Sequence, residues 1–94
     1  MRLLIALTTF CLMASSTLMA QDANLKKTLT ERLPSLPKIE EISKTAMPGV
    51  FEIRVQGNEI FYSDAKGDFL IQGALIDTKL KRNLTEERQD KLSA

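Results

Sequence analysis

The sequence predicts a small α+β fold in which an amphipathic helix precedes a short antiparallel sheet and a charged second helix follows it. Three observations support this prediction. Leucines recur at every fourth position from residue 25, apolar and polar residues alternate from residue 50, and a helix-capping pattern begins at residue 83. Because the helical and strand patterns occupy separate stretches, the α+β class is favoured.

The first twenty residues predict a secretory signal peptide. Arg2 supplies the positive start, and residues 3–13 form an apolar run too short to span a bilayer. Residues 15–20 (SSTLMA) form a cleavage region that contains small residues, and we expect cleavage after Ala20. Cys11 follows Phe10, whereas lipid attachment needs a small residue before the cysteine. We therefore expect an exported protein without a membrane anchor.

The composition excludes several kinds of chemistry. The chain has no histidine, and its one cysteine is Cys11 in the predicted signal peptide. Residues 21–94 therefore offer no Ser-His-Asp triad, thiol nucleophile, Cys/His zinc site or redox dithiol. Loss of Arg2 with the signal peptide brings the net charge from +1 to zero, which argues against nucleic acid as a partner. We expect no metal, no cofactor and no catalysis by this chain.

The first helix is predicted to end at Leu33, with Asp22 or Asn24 as its cap. Its core-facing stripe consists of Leu25, Leu29 and Leu33. Pro34 ends the helix because proline lacks an amide donor and disfavours helical geometry in the preceding residue. For residues 35–43 the sequence leaves open a short helical turn or an extended connection.

Residues 48–77 predict three antiparallel strands. The first, residues 50–56, alternates apolar with polar side chains, so that Glu52, Arg54 and Gln56 face water. A two-residue turn, Gly57-Asn58, leads to the second strand, residues 59–63. After a turn at residues 64–67, the third strand covers residues 68–76, and apolar residues on both its faces predict that both are covered.

After Asp77 the composition becomes highly charged. Asn83 and Glu86 have the spacing of a capping box at the start of a helix. Leu84, Arg88 and Leu92 share one face of that helix, and such a narrow apolar stripe predicts a linker helix rather than a core helix. No stop signal follows, so we expect a chain that ends where a longer protein would continue.

Four blocks in this order resemble the N-terminal domain of the DsbC family of periplasmic thiol:disulfide interchange proteins. They begin at Pro48, Gly57, Leu70 and Arg82, and their sequences are PGVFEI, GNEIFY, LIQG with LID at 75–77, and RNLTEER. The resemblance implies a cystatin-like module that dimerises by strand pairing in the periplasm. It also implies that a linker helix leads to a thioredoxin-fold catalytic domain, and that the paired modules hold unfolded or misdisulfided proteins in the full-length family.

The resemblance assigns residues to two sites. The dimer strand of the family falls on Phe69, Leu70, Ile71, Gln72 and Gly73. The linker hinge falls on Arg82, Asn83 and Leu84. Gly73 alone indicates either an internal bend or close approach of another chain, and the resemblance favours close approach.

The predicted function is a non-catalytic dimerisation and substrate-holding module of a periplasmic disulfide isomerase. The family's Cys-x-x-Cys motif has no counterpart in the 94 residues, and disulfide exchange requires a thiolate. We expect a signal peptide at 1–20, a dimerisation domain at 21–77 and an incomplete linker helix at 78–94. The sequence leaves open a fragment, a truncated reading frame or a free-standing domain.

The alternative function is a small secreted cystatin-like inhibitor or binding protein. Such inhibitors use a Gln-x-Val-x-Gly hairpin, and Val55-Gln56-Gly57 does not have that order.

Overall fold

A computed structural model describes residues 21–93 of the chain. Helix α1, residues 21–32, packs on one face of an antiparallel sheet, and helix α2, Leu84–Ser93, lies on the other. This arrangement confirms the predicted α+β class. The predicted signal peptide lies outside the described residues.

The main sheet has four strands in the order β1-β2-β3-β4, and each is antiparallel to its neighbour. The strands are β1 (Ile39–Lys44), β2 (Val50–Val55), β3 (Glu59–Asp64) and β4 (Leu70–Ile71). A separate two-stranded ladder joins β5 (Ile76–Asp77) to β6 (Arg82–Asn83). The stretch that the sequence left undecided after Pro34 thus contains β1, an edge strand.

Two leucines of α1 pack into the hydrophobic core. Leu25 and Leu29 are 3% and 1% exposed, and they pack with the sheet residues Ile39, Ile53, Val55 and Phe61. This confirms Leu25 and Leu29 of the predicted stripe, whereas Leu33 is only half-buried and follows the last helical residue, Arg32. The helix ends before Pro34, as expected. The predicted caps are wrong, because Asp22 and Asn24 already lie within the helix.

The β2–β3 hairpin is confirmed, but its loop is longer than predicted. Val55 is the cross-strand partner of Glu59, so the loop contains residues 56–58 rather than two residues. Gly57 and Asn58 have φ angles of 89° and 63°, in the left-handed region that glycine and asparagine tolerate best.

The predicted third strand, residues 68–76, is wrong as a single element. Only Leu70 and Ile71 join the main sheet. The chain then bends at Gly73, where φ is 152°, and continues into β5 of the second ladder. The bend that the resemblance argued against is therefore present. The expected cover on both faces is also wrong, because Ile71 is 53% exposed on the edge strand.

The sheet face opposite α1 was predicted to face water, and this prediction is wrong for Glu52. Its residue exposure is only 7%, because α2 lies over this part of β2. The neighbouring strand β3 is buried on both faces, with Phe61 towards α1 and Tyr62 towards α2.

Candidate functional site

Strand β4 leaves one edge of the main sheet without a partner among the described residues. The edge segment, residues 69–73, comprises Phe69, Leu70, Ile71, Gln72 and Gly73. It carries no charge, and Phe69 is 74% exposed while Leu70 packs partly against the core. Of the five predicted dimer-strand residues, the structure places Leu70 and Ile71 on the open edge strand, and the other three adjoin it in the chain.

The turn before the edge segment is fixed by side-chain contacts. Asp64 Oδ1 accepts a hydrogen bond from the backbone N–H of Phe69 at 3.0 Å. This bond is the main cause that lowers the pKa of the Asp64 carboxyl below its ordinary value. Arg32 of α1 donates to the Gly67 carbonyl at 3.1 Å and to Asp68 Oδ1 at 3.0 Å. The core helix therefore anchors the start of the edge segment.

Gly73 ends the edge segment at a position open to solvent. A Cβ atom there would meet no atom within 4 Å, and the φ angle of 152° disfavours every residue with a side chain. The absence of a side chain leaves room for the backbone of another chain beside it. Whether a second chain approaches Gly73 remains a prediction.

The opposite edge of the sheet differs in character. Strand β1 has a register shift between Ile39 and Glu41, and it carries the charged residues Glu40, Glu41 and Lys44. Bulges and charges are common devices that prevent an edge strand from pairing with another chain. The two edges are therefore chemically distinct.

The three predicted hinge residues lie where β6 meets α2. Arg82 forms an ion pair with Glu87, with Nε and Oε2 2.8 Å apart, and this bond raises the pKa of Arg82 and lowers that of Glu87. Asn83 Oδ1 accepts from the Glu86 N–H at 3.0 Å, which confirms Asn83 as the helix cap. The hinge role itself remains a prediction.

Backbone hydrogen bonds also connect this junction to the residues around β5. The N–H of Leu84 donates to the Leu75 carbonyl at 2.9 Å, and Asn83 is the cross-strand partner of Ile76. The predicted domain boundary after Asp77 therefore falls in the turn between two paired strands. The division into domains remains a prediction.

Helix α2 contacts the sheet through a polar cluster that sequence reasoning missed. The α2 dock comprises Glu41, Glu52, Tyr62, Thr85 and Arg88. The hydroxyls of Tyr62 and Thr85 form a buried hydrogen bond, and Thr85 Oγ1 also accepts from the Leu75 N–H at 2.8 Å. Burial raises the pKa of Tyr62; the Thr85 hydrogen bond opposes this effect, and the Glu52 carboxylate adds to it.

Arg88 supplies the ionic half of the dock. Its Nε donates to Glu52 Oε2 at 3.2 Å, and its Nη2 donates to Glu41 Oε1 at 2.8 Å. The bond to Glu52 is the first cause that raises the pKa of Arg88. Glu41 also lies 3.7 Å from Arg54 Nε, which has no hydrogen-bond partner in the described part of the chain. The two carboxylates of Glu41 and Glu52 therefore balance the two positive charges of Arg88 and the neighbouring Arg54.

The sequence holds a partial signal for this cluster. Strand alternation places Glu52 opposite the core face, and helical spacing places Arg88 three residues after Thr85. These patterns define faces, but they do not show that the two faces meet.

The surface beside the dock has two shallow clefts. One, of about 250 Å³, is lined by residues that include Lys44, Tyr62, Arg82 and Lys91. The other, of about 210 Å³, is more apolar and includes Met47 and Ile76. Over residues 21–93 there is no group of three or more acidic, histidine or cysteine side chains suited to a metal. Nor does that stretch contain a helix long and apolar enough to cross a membrane.

Comparisons with known proteins agree with the resemblance that the four sequence blocks predict. The chain is similar to the probable thiol:disulfide interchange proteins DsbC of Bordetella pertussis and Bordetella bronchiseptica, with 41% identity over 46 residues. The corresponding Bordetella avium protein is 39% identical over 46 residues. The matched segment covers 49% of this chain but only 16% of the length of each relative.

No solved structure matches the chain significantly. Residues 16–86 match the family model described as the disulfide bond isomerase protein N-terminal domain. Because that match includes the core helix, both ladders and the start of α2, the chain belongs to the disulfide bond isomerase N-terminal domain family.

Proposed function

We propose that this chain is a non-catalytic dimerisation and substrate-holding module of a periplasmic disulfide isomerase. The observation that carries the proposal is the uncharged edge segment, whose backbone has no partner on one side within the described residues. In this proposal residues 1–20 direct export, residues 21–77 form the dimerisation domain, and residues 78–94 form a linker helix with its hinge at 82–84.

The dimer forms through β4 rather than β1. An open strand edge binds another strand through its free N–H and C=O groups, and charges or bulges oppose such pairing. The β1 edge has both devices, whereas the β4 edge has neither a charge nor a register shift. Apolar side chains at Phe69 and Ile71 would also lose water on pairing, which favours association.

The symmetry of this pairing defines a register. Two identical strands that pair isologously run antiparallel about a two-fold axis. If the paired segment is 69–73, the axis passes beside Ile71, so that Ile71 faces its counterpart and Phe69 faces Gly73 of the second copy. An aromatic ring then covers the position that lacks a side chain.

The isomerase chemistry is not assigned to these residues. Exchange begins with thiolate attack on a disulfide, and the sequence contains only Cys11, within the proposed signal peptide. Exposed apolar side chains provide the proposed contacts with unfolded proteins. Besides Phe69 they include Met47, Ile76 and Leu80, which are 53%, 48% and 62% exposed.

Single-cysteine cross-linking tests the interface. Each of residues 69–73 is replaced by cysteine in the full chain with Cys11→Ser, and disulfide-linked dimers are measured after mild oxidation. Cross-linking should be greatest for Ile71→Cys, because residues that face each other across antiparallel strands lie about 4.5–5.5 Å apart at Cα.

Glu40→Cys is the matched control on the β1 edge. It is exposed like Ile71, and it should give little linked dimer. Equal cross-linking at Glu40, or the absence of a maximum within 69–73, would contradict the assigned edge.

The inhibitor alternative has no specific support. The loop of the β2–β3 hairpin has the sequence Gln56-Gly57-Asn58, which lacks the Gln-x-Val-x-Gly order. A protease inhibition assay on the same preparations provides the direct comparison.

A further inference from the structure

Helix α2 faces the sheet with polar side chains. Thr85, Arg88 and Gln89 are spaced at i, i+3 and i+4, so they share one side of the helix. Thr85 bonds to Tyr62 on β3, Arg88 to Glu52 on β2, and Gln89 Nε2 lies 3.5 Å from the Asn58 carbonyl in the hairpin loop. The helix is therefore held at successive points along the β2–β3 hairpin.

We propose that the α2 dock fixes the direction of helix α2 relative to the edge segment. This role goes beyond dimerisation, because it concerns the orientation of one element of the chain against another. Its residues act as positioning residues: Tyr62 and Thr85 set the start of the helix, and Arg88 sets its rotation over β2 through two carboxylates.

Tyr62 connects the dock to the edge of the sheet. Its cross-strand partner on β2 is Glu52, and its partner on β4 is Ile71. The row from Ile71 through Tyr62 to Glu52 lies on one face of the sheet; α2 covers Tyr62 and Glu52, and Ile71 at the outer end is exposed. Tyr62, which holds the start of α2, is thus a direct cross-strand neighbour of the edge segment.

Polar contacts suit this role because they are directional. Apolar surfaces tolerate sliding and rotation, whereas a hydrogen bond weakens steeply when its angle departs from linearity. The side chain of Glu52 is only 10% exposed, so loss of Arg88 would leave a carboxylate largely buried without its partner. Any movement of α2 that separates Arg88 from Glu52 is therefore unfavourable.

The test uses nuclear magnetic resonance on the full chain. Residual dipolar couplings report the orientation of α2 relative to β2 and β3, and amide hydrogen exchange reports its opening. Thr85→Val removes the hydroxyl at nearly constant shape, and Arg88→Gln removes the charge. In both variants the α2 couplings should no longer fit the alignment of the sheet, and α2 amides should exchange about tenfold faster.

Two controls separate orientation from general loss of structure. Thr85→Ser keeps the hydroxyl and should restore the wild-type couplings. Arg32→Gln removes a different arginine ion pair, the one between α1 and Asp68, which does not involve α2, so the orientation of α2 relative to β2 and β3 should not change.

Unchanged α2 couplings in Thr85→Val would overturn the proposal, even if Arg88→Gln fails to fold. An equal change in Arg32→Gln would also overturn it. Because the couplings compare elements of one chain, loss of the proposed dimer alone would leave this result intact.

Discussion

Tyr62 is the residue at which three parts of the structure meet. It is 4% exposed, it lies between Glu52 and Ile71 in the sheet, and its hydroxyl bonds to Thr85 of α2. Burial and the nearby Glu52 carboxylate disfavour the charged phenolate and raise the pKa of Tyr62.

The raised pKa predicts a pH dependence of stability at alkaline pH. The folded state holds the phenol proton more tightly than the unfolded state does, so the stabilising contribution is complete below the ordinary value of 10.0. It is lost as pH rises through the higher pKa of the folded state, because the unfolded chain then binds fewer protons.

Tyr62 is the only tyrosine in the chain, so ultraviolet absorbance of tyrosinate measures its ionisation directly. The midpoint in the folded protein should lie above 10.0, and the midpoint in concentrated urea should be close to that value. Equal midpoints would show that the phenol is not shielded by α2 in solution.

Single residues were predictable where their partners are close in sequence. Asn83 was identified as a cap because the amide it binds lies three residues later. The contact of Arg88 with Glu52 spans 36 residues, and neither local sequence contains information about the other. Long-range polar partners depend on how helix and sheet pack, which side-chain periodicity does not determine.

At the scale of elements, α2 shows how a charged helix can be ordered. Among its residues only Thr85 is buried, so apolar packing stabilises it little. Its first turn is instead stabilised by the Asn83 cap and by Glu86 and Glu87, whose negative charges interact favourably with the helix dipole.

Asn83→Ala should lower the free energy of unfolding by about 1 kcal/mol, because the Glu86 N–H loses its acceptor. Asn83→Asp is the matched variant, since its carboxylate can accept the same bond and should retain most of the stability. Urea denaturation of the three proteins measures the difference. An equal loss in both variants would assign the effect to packing rather than to capping.

The elements also differ in how far their sequences specify them. The leucine repeat of α1 and the alternation in β2 each have one consistent period, and both were predicted. The run after residue 67 was predicted as one strand because most of its residues are apolar. Its division between β4 and β5 depends on the positive φ of Gly73, and a glycine is compatible with either conformation.

For the whole molecule, small size makes association important. A domain of this length buries only about 60% of the surface that its unfolded chain exposes, and no disulfide can form within residues 21–93, which contain no cysteine. The location of the proposed interface came from resemblance to a family, whereas the structure supplies the contrast between the two sheet edges.

Gly73→Arg should convert the proposed dimer into a monomer, because a long charged side chain would occupy the space at the edge. Gly49→Arg is a close control, since Gly49 also has a positive φ, 79°, and open space around it but lies in the β1–β2 connection. Sedimentation equilibrium over a range of concentrations distinguishes the two. A dimer in both variants would place the interface elsewhere.

The asymmetry between the sheet edges would also limit the size of the proposed assembly. When two copies join through β4, their sheets become continuous, and each outer boundary of the combined sheet is a β1 strand. Those boundaries carry the register shift and charges of β1, so a third copy finds no edge suited to further pairing. In the proposed dimer, strand addition would therefore terminate after one step, and this would prevent growth into fibrils.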